Sequence, residues 1–301
     1  MKTRNAKYIK IEAVEKLAQS KASRAIREDY SLRELAFNPS GYRKLLSQGS
    51  YKFDKKDGKP IITKGMYLSP SNEAGYGINT CANATKECRA GCLIFTGQMK
   101  MKPAINSRIM KTRFFYAYPE QFLDSLIDEL FEAGKQASWD REIIQFRLNG
   151  TSDINWEKYL HLETLIKDIP ACEIFYDYTK NPNRQVNRNH YHLTYSISDN
   201  SKSLSHGLDY LEKGQSVAVV TSKTEMKQLL EVGSKTFING DKNDHRPQDP
   251  KSSIVLLSFK GKGATKAQRG TSKGFVKSAE YIIELLTKSS GLIQKAKDKV
   301  K

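Results

Sequence analysis

The segment "SVAVVTSKTEMKQLLEVGSKTFING", residues 216–240, contains a strand–helix–strand unit. Residues 216–222 form a short apolar run typical of a buried strand, 223–232 have a helical pattern, and 235–240 are again strand-like. Short apolar strands that alternate with helices predict parallel βαβ units. Counting one strand ahead of the cysteines, about seven strands are expected in all, and the other strand-like runs are 142–150, 172–179, 191–198 and 253–259.

This repetition predicts an α/β fold made of repeated βα units. We expect a complete or partial β/α barrel in preference to an open, doubly wound sheet. A long helical region at about 104–134 is predicted to break at Pro119. The predicted organisation is a basic helical extension over residues 1–60, an α/β domain over residues 61–294 and a basic tail over residues 295–301.

The charge of the chain is concentrated towards its two ends. The 301 residues carry a net charge of +17, of which +9 belongs to residues 1–65 and +9 to residues 251–301, while the residues between them carry −1. A nearly neutral body with two basic ends is typical of a protein that binds a polyanion. We therefore expect a nucleic-acid partner, bound through the basic termini; the alternative is that the lysines only confer solubility.

The distribution of hydrophobic residues predicts a protein that does not insert into membranes. No apolar run approaches the ~20 residues needed to span a bilayer, and the N-terminal stretch has no apolar segment typical of a signal peptide. We expect a cytoplasmic protein without a membrane partner. In a reducing cytoplasm, clustered cysteines bind metal more often than they form disulfides.

Three of the four cysteines lie in "NTCANATKECRAGCLIFTG", residues 79–97. Cys81, Cys88 and Cys92 have the spacing C-x6-C-x3-C, and no fourth ligand for a structural zinc is evident nearby. Three thiolates with an open fourth position suit a [4Fe–4S] cluster whose free iron binds a substrate or cofactor. Zinc, or no metal, remains the alternative. The fourth cysteine, Cys172, opens a predicted strand and is expected to be a small buried hydrophobic residue.

Three cysteines in the loop after the first strand of a β/α barrel resemble the arrangement in radical S-adenosylmethionine enzymes. That resemblance implies a [4Fe–4S] cluster and S-adenosylmethionine as cofactors. The usual spacing in those enzymes is C-x3-C-x2-C with an aromatic residue before the last cysteine, whereas this chain has the wider spacing and Gly91 at that position.

The motif "FRLNGTSDINW", residues 146–156, places polar residues directly after a predicted strand. At the mouth of a barrel such residues could hold an amino or carboxylate group of a cofactor. The alternative is that Ser152 or Asp153 caps a helix that begins near Trp156. The predicted cofactor-binding residues are Asn149, Gly150, Thr151, Ser152 and Asp153.

Two basic motifs are candidates for binding an anionic group. In "FYDYTKNPNR", residues 175–184, Lys180 and Arg184 follow a strand end and suit a phosphate or carboxylate. In the glycine-containing segment that begins "FKGKG" at residue 259, Lys260 and Lys262 suit a phosphate backbone. The alternative for Lys180 is a surface ion pair with Asp177, which would contribute little.

The motif "NHYHLTYSIS" supports a different class of enzyme. His190 and His192 are two residues apart on a predicted strand, so their rings share a face and could bind a divalent cation. Tyr210 lies a short helix further on. This pattern resembles HUH nucleases and rolling-circle replication initiators, in which a tyrosine attacks the phosphodiester of single-stranded DNA. That fold is a compact antiparallel sheet and would leave the cysteines without a role.

Several motifs in series resemble the gene product 88 family, a largely uncharacterised family of phages and plasmids. They include the cysteine segment, "RIMKTRFFYAYPEQF" at 108–122, "FRLNGTSDINWE" at 146–157 and "INGDKNDHR" at 238–246. The resemblance implies a mobile-element origin and no established reaction.

Taken together, these motifs predict a phage or plasmid protein that is an Fe–S, radical-S-adenosylmethionine-like enzyme associated with nucleic acid. One alternative is a replication initiator that nicks single-stranded DNA through Tyr210. The other is a non-catalytic nucleic-acid-binding protein with a structural zinc.

Overall fold

The computed structural model describes residues 5–47, 60–232, 234, 236–260 and 274–300. Within these ranges the α-helices are α1 (Ile11–Ala18), α2 (Lys21–Asp29), α3 (Leu32–Ala36), α4 (Lys86–Ala90), α5 (Lys102–Ala117), α6 (Pro119–Trp139), α7 (Leu162–Asp168), α8 (Ser203–Glu212), α9 (Lys223–Glu231) and α10 (Ala279–Val300). The strands are β1 (Phe37–Asn38), β2 (Gly41–Tyr42), β3 (Ile61–Gly65), β4 (Ile143–Arg147), β5 (Cys172–Thr179), β6 (Tyr191–Ser196), β7 (Val217–Thr221), β8 (Phe237–Asn239) and β9 (Ile254–Ser258).

Seven of these strands form one sheet in the order β3-β4-β5-β6-β7-β9-β8, and β1 and β2 form a small separate hairpin. The pairs β3–β4, β4–β5, β6–β7, β7–β9 and β9–β8 are parallel. Each of the seven overlaps a strand-like run of the sequence. The predicted α/β fold of repeated βα units is confirmed, and it is that of a partial β/α barrel.

The chain divides into two compact units that alternate along the sequence. The first unit comprises Met1–Ala82, Gln98–Asp177 and Gln185–His192. The second comprises Asn83–Gly97, Tyr178–Arg184 and Leu193–Lys301. The predicted boundaries at residues 60 and 294 stay a prediction.

In the first unit, the helices of the N-terminal segment pack on α5 and α6. The ring of Phe115 on α5 lies 5.1 to 5.3 Å from the rings of Phe122, Trp156 and Tyr159. Pro119 begins α6 at a position where a missing backbone N–H costs nothing, so the long helical region breaks there as predicted.

In the second unit, α8, α9 and α10 cover β6, β7, β9 and β8. Strands β7 and β9, "VAVVT" and "IVLLS", are buried along nearly their whole length, which explains their continuous apolar sequences. The hydrophobic core of this unit includes Leu211, Val219, Leu256, Ile282 and Leu285.

Among the described residues, no helix is both long and apolar enough to cross a membrane.

Candidate functional site

The predicted site residues follow the ends of strands. In parallel α/β proteins the carboxyl ends of the strands lie along one edge of the sheet, and active sites are built from the loops that leave it. Within the described ranges, the predicted metal-, cofactor- and anion-binding residues lie in the segments that follow β3, β4, β5 and β9.

In the first unit, Asn149 organises the loop that follows β4. Its Oδ1 accepts hydrogen bonds from Ser152 Oγ (2.8 Å), the backbone N of Ile154 (2.9 Å) and Trp156 Nε1 (3.2 Å). Its Nδ2 donates to Ile154 O (2.9 Å) and to Asp177 Oδ2 (2.8 Å). An amide has two donors and one carbonyl, so Asn149 and Ser152 are engaged in shaping the loop. Their cofactor-binding role stays a prediction.

Asp177 on β5 is the acidic centre of this network, and its side chain is fully buried. The backbone N of Asn149 donates to its Oδ1 at 2.8 Å, and the hydroxyl of Tyr191 donates to its Oδ2. A buried carboxylate requires such donors. The network therefore joins the end of β5 to the loop after β4 and to the first residue of β6.

Gly150 is required by a close approach of two backbone segments. A Cβ at this position would lie 2.5 Å from the ring of Tyr67 and 2.8 Å from Met66 O, distances that real side chains do not tolerate. The backbone N of Gly150 donates to Met66 O at 2.9 Å, and Thr151 Oγ1 donates to Leu68 O. These two hydrogen bonds connect the residues that follow β4 to those that follow β3.

These hydrogen bonds place Cys81 beside Thr151, and its neighbour Thr80 beside Asp153, both of them predicted cofactor-binding residues. Its Sγ lies 3.8 Å from Thr151 O and 3.8 Å from Thr80 Oγ1, and the backbone N of Asp153 donates to Thr80 O at 2.9 Å. The thiol is partly buried. In the first unit, the first cysteine of the segment therefore lies against the loop that follows β4.

Cys88 lies on the short helix α4 of the second unit, whose start is fixed by Thr85. The hydroxyl of Thr85 accepts a hydrogen bond from the backbone N of Cys88 at 3.1 Å and donates to the carboxylate of Asp199. Asp199 follows the end of β6. The same unit thus holds the second cysteine near a strand end.

Gly91, directly before Cys92, packs against two aromatic rings. A Cβ added there would lie 3.1 Å from ring atoms of both Phe259 and Phe275. Phe259 follows β9, so this part of the cysteine segment also lies near a strand end of the second unit. A larger residue would have to displace these rings. Close packing therefore explains why this position is occupied by glycine.

The three thiols are chemically suited to a cluster. Within the ranges that the structure describes, no group of three or more His, Cys, Asp or Glu side chains is placed to hold a metal ion. The metal site on Cys81, Cys88 and Cys92 stays a prediction.

Lys180, which follows β5, binds to groups at the end of β6. Its Nζ donates to Ser196 Oγ (2.9 Å), Ser196 O (3.2 Å) and Ile197 O (3.3 Å), and it lies 5.2 Å from the ring centre of Phe275. An ammonium group has three donors, and these three contacts are to groups at the end of β6.

The other predicted anion-binding residues lie in different surroundings. Arg184 is largely buried, at 5% exposure, in the turn that follows β5. Lys260 Nζ lies 3.2 Å from Asp241 Oδ1. Lys262 lies outside the described residues. Anion binding by these residues stays a prediction.

Lys277 is a buried amine that the sequence reasoning missed. Its side chain is 1% exposed, and burial lowers its pKa to about 8; nearby Asp199 raises the pKa and Lys180 lowers it. Thr221 Oγ1 donates to Lys277 O at 2.8 Å, and the backbone N of Lys277 donates to Val220 O at 2.8 Å, so its backbone is tied to the end of β7. A lysine after a glycine-containing basic stretch gives no sequence signal of burial.

The two histidines and the tyrosine of the nicking hypothesis lie in different surroundings. His190 Nε2 lies 3.6 Å from Glu163 Oε1 in the first unit, and His192 follows Tyr191 on β6. Tyr210 belongs to the hydrophobic core of the second unit, where it is 4% exposed and its ring centre lies 5.0 Å from that of Tyr195.

Comparison with known proteins identifies one match. A family model described as "Gene product 88" matches residues 37–278, a range that includes the cysteine segment and all seven strands of the large sheet. No curated protein and no solved structure matches the chain.

Proposed function

Because the chain belongs to the gene product 88 family, which is associated with phages, we propose that it is a mobile-element enzyme in which the cysteine loop, residues 79–97, is part of the active centre. One observation carries this proposal: in each unit the loop is held by residues that follow a strand. Cys81 lies against Thr151 in the first unit, and Thr85 binds Asp199 in the second. Enzymes with parallel α/β sheets use these ends of the strands for catalysis.

The finer proposal assigns a cofactor to the loop. Cys81, Cys88 and Cys92 would ligate a [4Fe–4S] cluster, with S-adenosylmethionine at the open iron, and Thr151 and Asp153 would contact the cofactor beside Cys81. The thiols fit this chemistry as a donor set. The described side chains do not form a preformed group of three or more ligands.

The charged groups of the second unit would contribute proton chemistry to such a centre. Burial lowers the pKa of Lys277 to about 8, so that at neutral pH a larger fraction of this amine is neutral than of an ordinary lysine. Asp199 links it to the cysteine loop, since the same carboxylate accepts the hydrogen bond from Thr85.

Nucleic acid is the proposed partner, and the net charge of +17 supports it. The nicking alternative requires that Tyr210 reach a phosphodiester, and its burial in the core of the second unit does not favour that chemistry. A structural zinc on the cysteine loop is the alternative that the first experiment separates from the cluster.

The experiment is anaerobic purification followed by iron, sulfide and zinc analysis of the wild type and of three variants, Cys81→Ser, Cys88→Ser and Cys92→Ser. The matched control is Cys172→Ala, because burial raises the pKa of the Cys172 thiol to about 12 and that residue begins β5 outside the loop. We expect about four irons per chain in the wild type and the control, and a clear loss in each loop variant.

Any of three results would contradict the cluster. One zinc per chain, lost in the loop variants, would support the structural-zinc alternative. A wild type without metal, or iron that all three variants retain, would remove the metal centre from the proposal.

A further inference from the structure

The second unit contains a cavity that none of the predicted sites includes. It has a volume of about 470 Å³ and lies between α9 and the carboxyl ends of β8 and β9. Lys223, Met226, Lys227, Leu230 and Glu231 of α9 line it on one side, and Asn239, Asp241 and Ser258 from the strand ends complete the lining.

The wall formed by α9 combines an apolar surface with two cations. Lys223, Met226, Lys227 and Leu230 follow the i, i+3, i+4, i+7 spacing that places side chains on one face of a helix. Met226 is 6% exposed and Leu230 packs on the hydrophobic core, so the two form an apolar floor. The thioether of Met226 suits contact with a planar ring.

Lys223 and Lys227 both line the cavity and lie four residues apart on α9. Like charges at i and i+4 on a helix repel each other, and a bound anion between them would remove that cost. Lys227 Nζ lies 3.8 Å from Glu231 Oε1, but both side chains are well exposed, at 81% and 65%. Such a surface pair contributes little and leaves the lysine able to exchange partners.

The strand-end residues of the lining include a hydrogen-bond acceptor, Asp241. The hydroxyl of Ser258 donates to Asp241 Oδ2, Lys260 Nζ lies 3.2 Å from Oδ1, and the backbone N of Asp241 donates to Asn239 Oδ1 at 3.0 Å. These contacts orient the carboxylate, whose side chain remains 24% exposed. A carboxylate at the lip of a cavity is an acceptor for sugar hydroxyls.

We propose that this cavity binds a nucleoside phosphate. The base would lie on Met226 and Leu230, the phosphate between Lys223 and Lys227, and the ribose hydroxyls at Asp241. A volume of about 470 Å³ is in the range of small-molecule pockets, ~300–1,000 Å³. The ligand is either a free mononucleotide or the terminal nucleotide of a strand, which present the same groups. The site goes beyond the proposed function, since none of its residues belongs to the cysteine loop.

The test is calorimetric titration of the full chain with AMP, adenosine and a short 5′-phosphorylated oligonucleotide. We expect AMP to bind about tenfold or more tightly than adenosine, as one charge-assisted contact to phosphate would give. The double variant K223A/K227A should reduce AMP binding to the level of adenosine and leave adenosine binding unchanged. Asp241→Asn should weaken both ligands.

The matched control is Lys202→Ala, an exposed lysine of the same unit outside the cavity, which should bind AMP as the wild type does. Thermal melting confirms that each variant is folded. If the oligonucleotide displaces AMP, the ligand is a strand terminus; if only AMP binds, it is a free nucleotide, and both results support the site.

Three results would overturn the site: no binding of any probe at millimolar concentration, equal affinity for AMP and adenosine, or AMP binding that survives K223A/K227A. The titration requires no metal, and the iron analysis uses no residue of the cavity. Failure of the nucleotide site can therefore be told apart from failure of the cysteine-loop proposal.

Discussion

At the scale of single residues, Asn149 explains why the segment after β4 has one defined conformation. One amide holds two backbone groups of Ile154, the indole of Trp156, the hydroxyl of Ser152 and the carboxylate of Asp177. The sequence predicts that Asn149 lies at the end of a strand. It does not predict the partner Asp177, which is 28 positions further along the chain.

We expect Asn149→Ala to lower the free energy of unfolding by about 2–4 kcal/mol, because several buried polar groups lose their partner at once. Denaturant unfolding monitored by circular dichroism measures the loss. The control is Asn189→Ala, an exposed amide, which should stay within about 0.5 kcal/mol of the wild type. Equal stability of the two variants would mean that water replaces Asn149 without cost.

At the scale of elements, α6 comes unusually close to the segment between α7 and β5. A Cβ at Gly134, within this helix, would lie 2.5 Å from Ile169 Cγ2 and 2.6 Å from Pro170 O. A glycine within a long helix lowers helix propensity, so the sequence alone gives it no purpose. The contact shows that it permits the helix to approach the chain just before β5.

We expect Gly134→Ala to destabilise the protein by about 1–3 kcal/mol, although alanine is the better helix former, because the added methyl group overlaps a backbone oxygen that cannot rotate away. Ser138→Ala, an exposed position on the same helix, should be neutral or slightly stabilising. Thermal melting of both variants tests the prediction, and a Gly134→Ala protein that melts at or above the wild type would contradict it.

At the scale of the whole molecule, the charge is the property that bears most directly on the proposed partner. The net charge of +17 is large for 301 residues, and it belongs almost entirely to residues 1–65 and 251–301. Long-range attraction of a polyanion depends on such an excess and is screened by salt.

We expect the full chain to bind a DNA or RNA duplex without sequence preference, with an affinity that falls more than about tenfold between about 50 and 200 mM salt, because bound cations are released from the phosphates. Fluorescence anisotropy at several salt concentrations measures the slope. Adenosine, titrated in the same buffers, is the uncharged control. An affinity for the duplex that does not change with salt would argue against the basic residues as the contact.

The sequence predicts the strands well because each is a short apolar run with polar residues at both ends, a signal contained within a few positions. Pro119 likewise marks a break by its own chemistry. The site depends on contacts between distant positions: Thr85 and Asp199 are 114 residues apart. The cysteine loop has no periodicity from which its geometry could be predicted. The position of Lys277 depends on hydrogen bonds between its backbone and the end of β7, more than 50 positions earlier in the chain.

The order of the last two strands has a consequence for synthesis on the ribosome. Strand β9 lies between β7 and β8 in the sheet, although it is translated after both. When β8 leaves the ribosome, its pairing partner β9 has not yet been synthesised. The backbone N–H and C=O groups of β8 therefore lack their partners until residues 254–258 have been added. A pause in translation before residue 258 would leave β8 unpaired. The sheet of the second unit can be completed only after β9 has been synthesised.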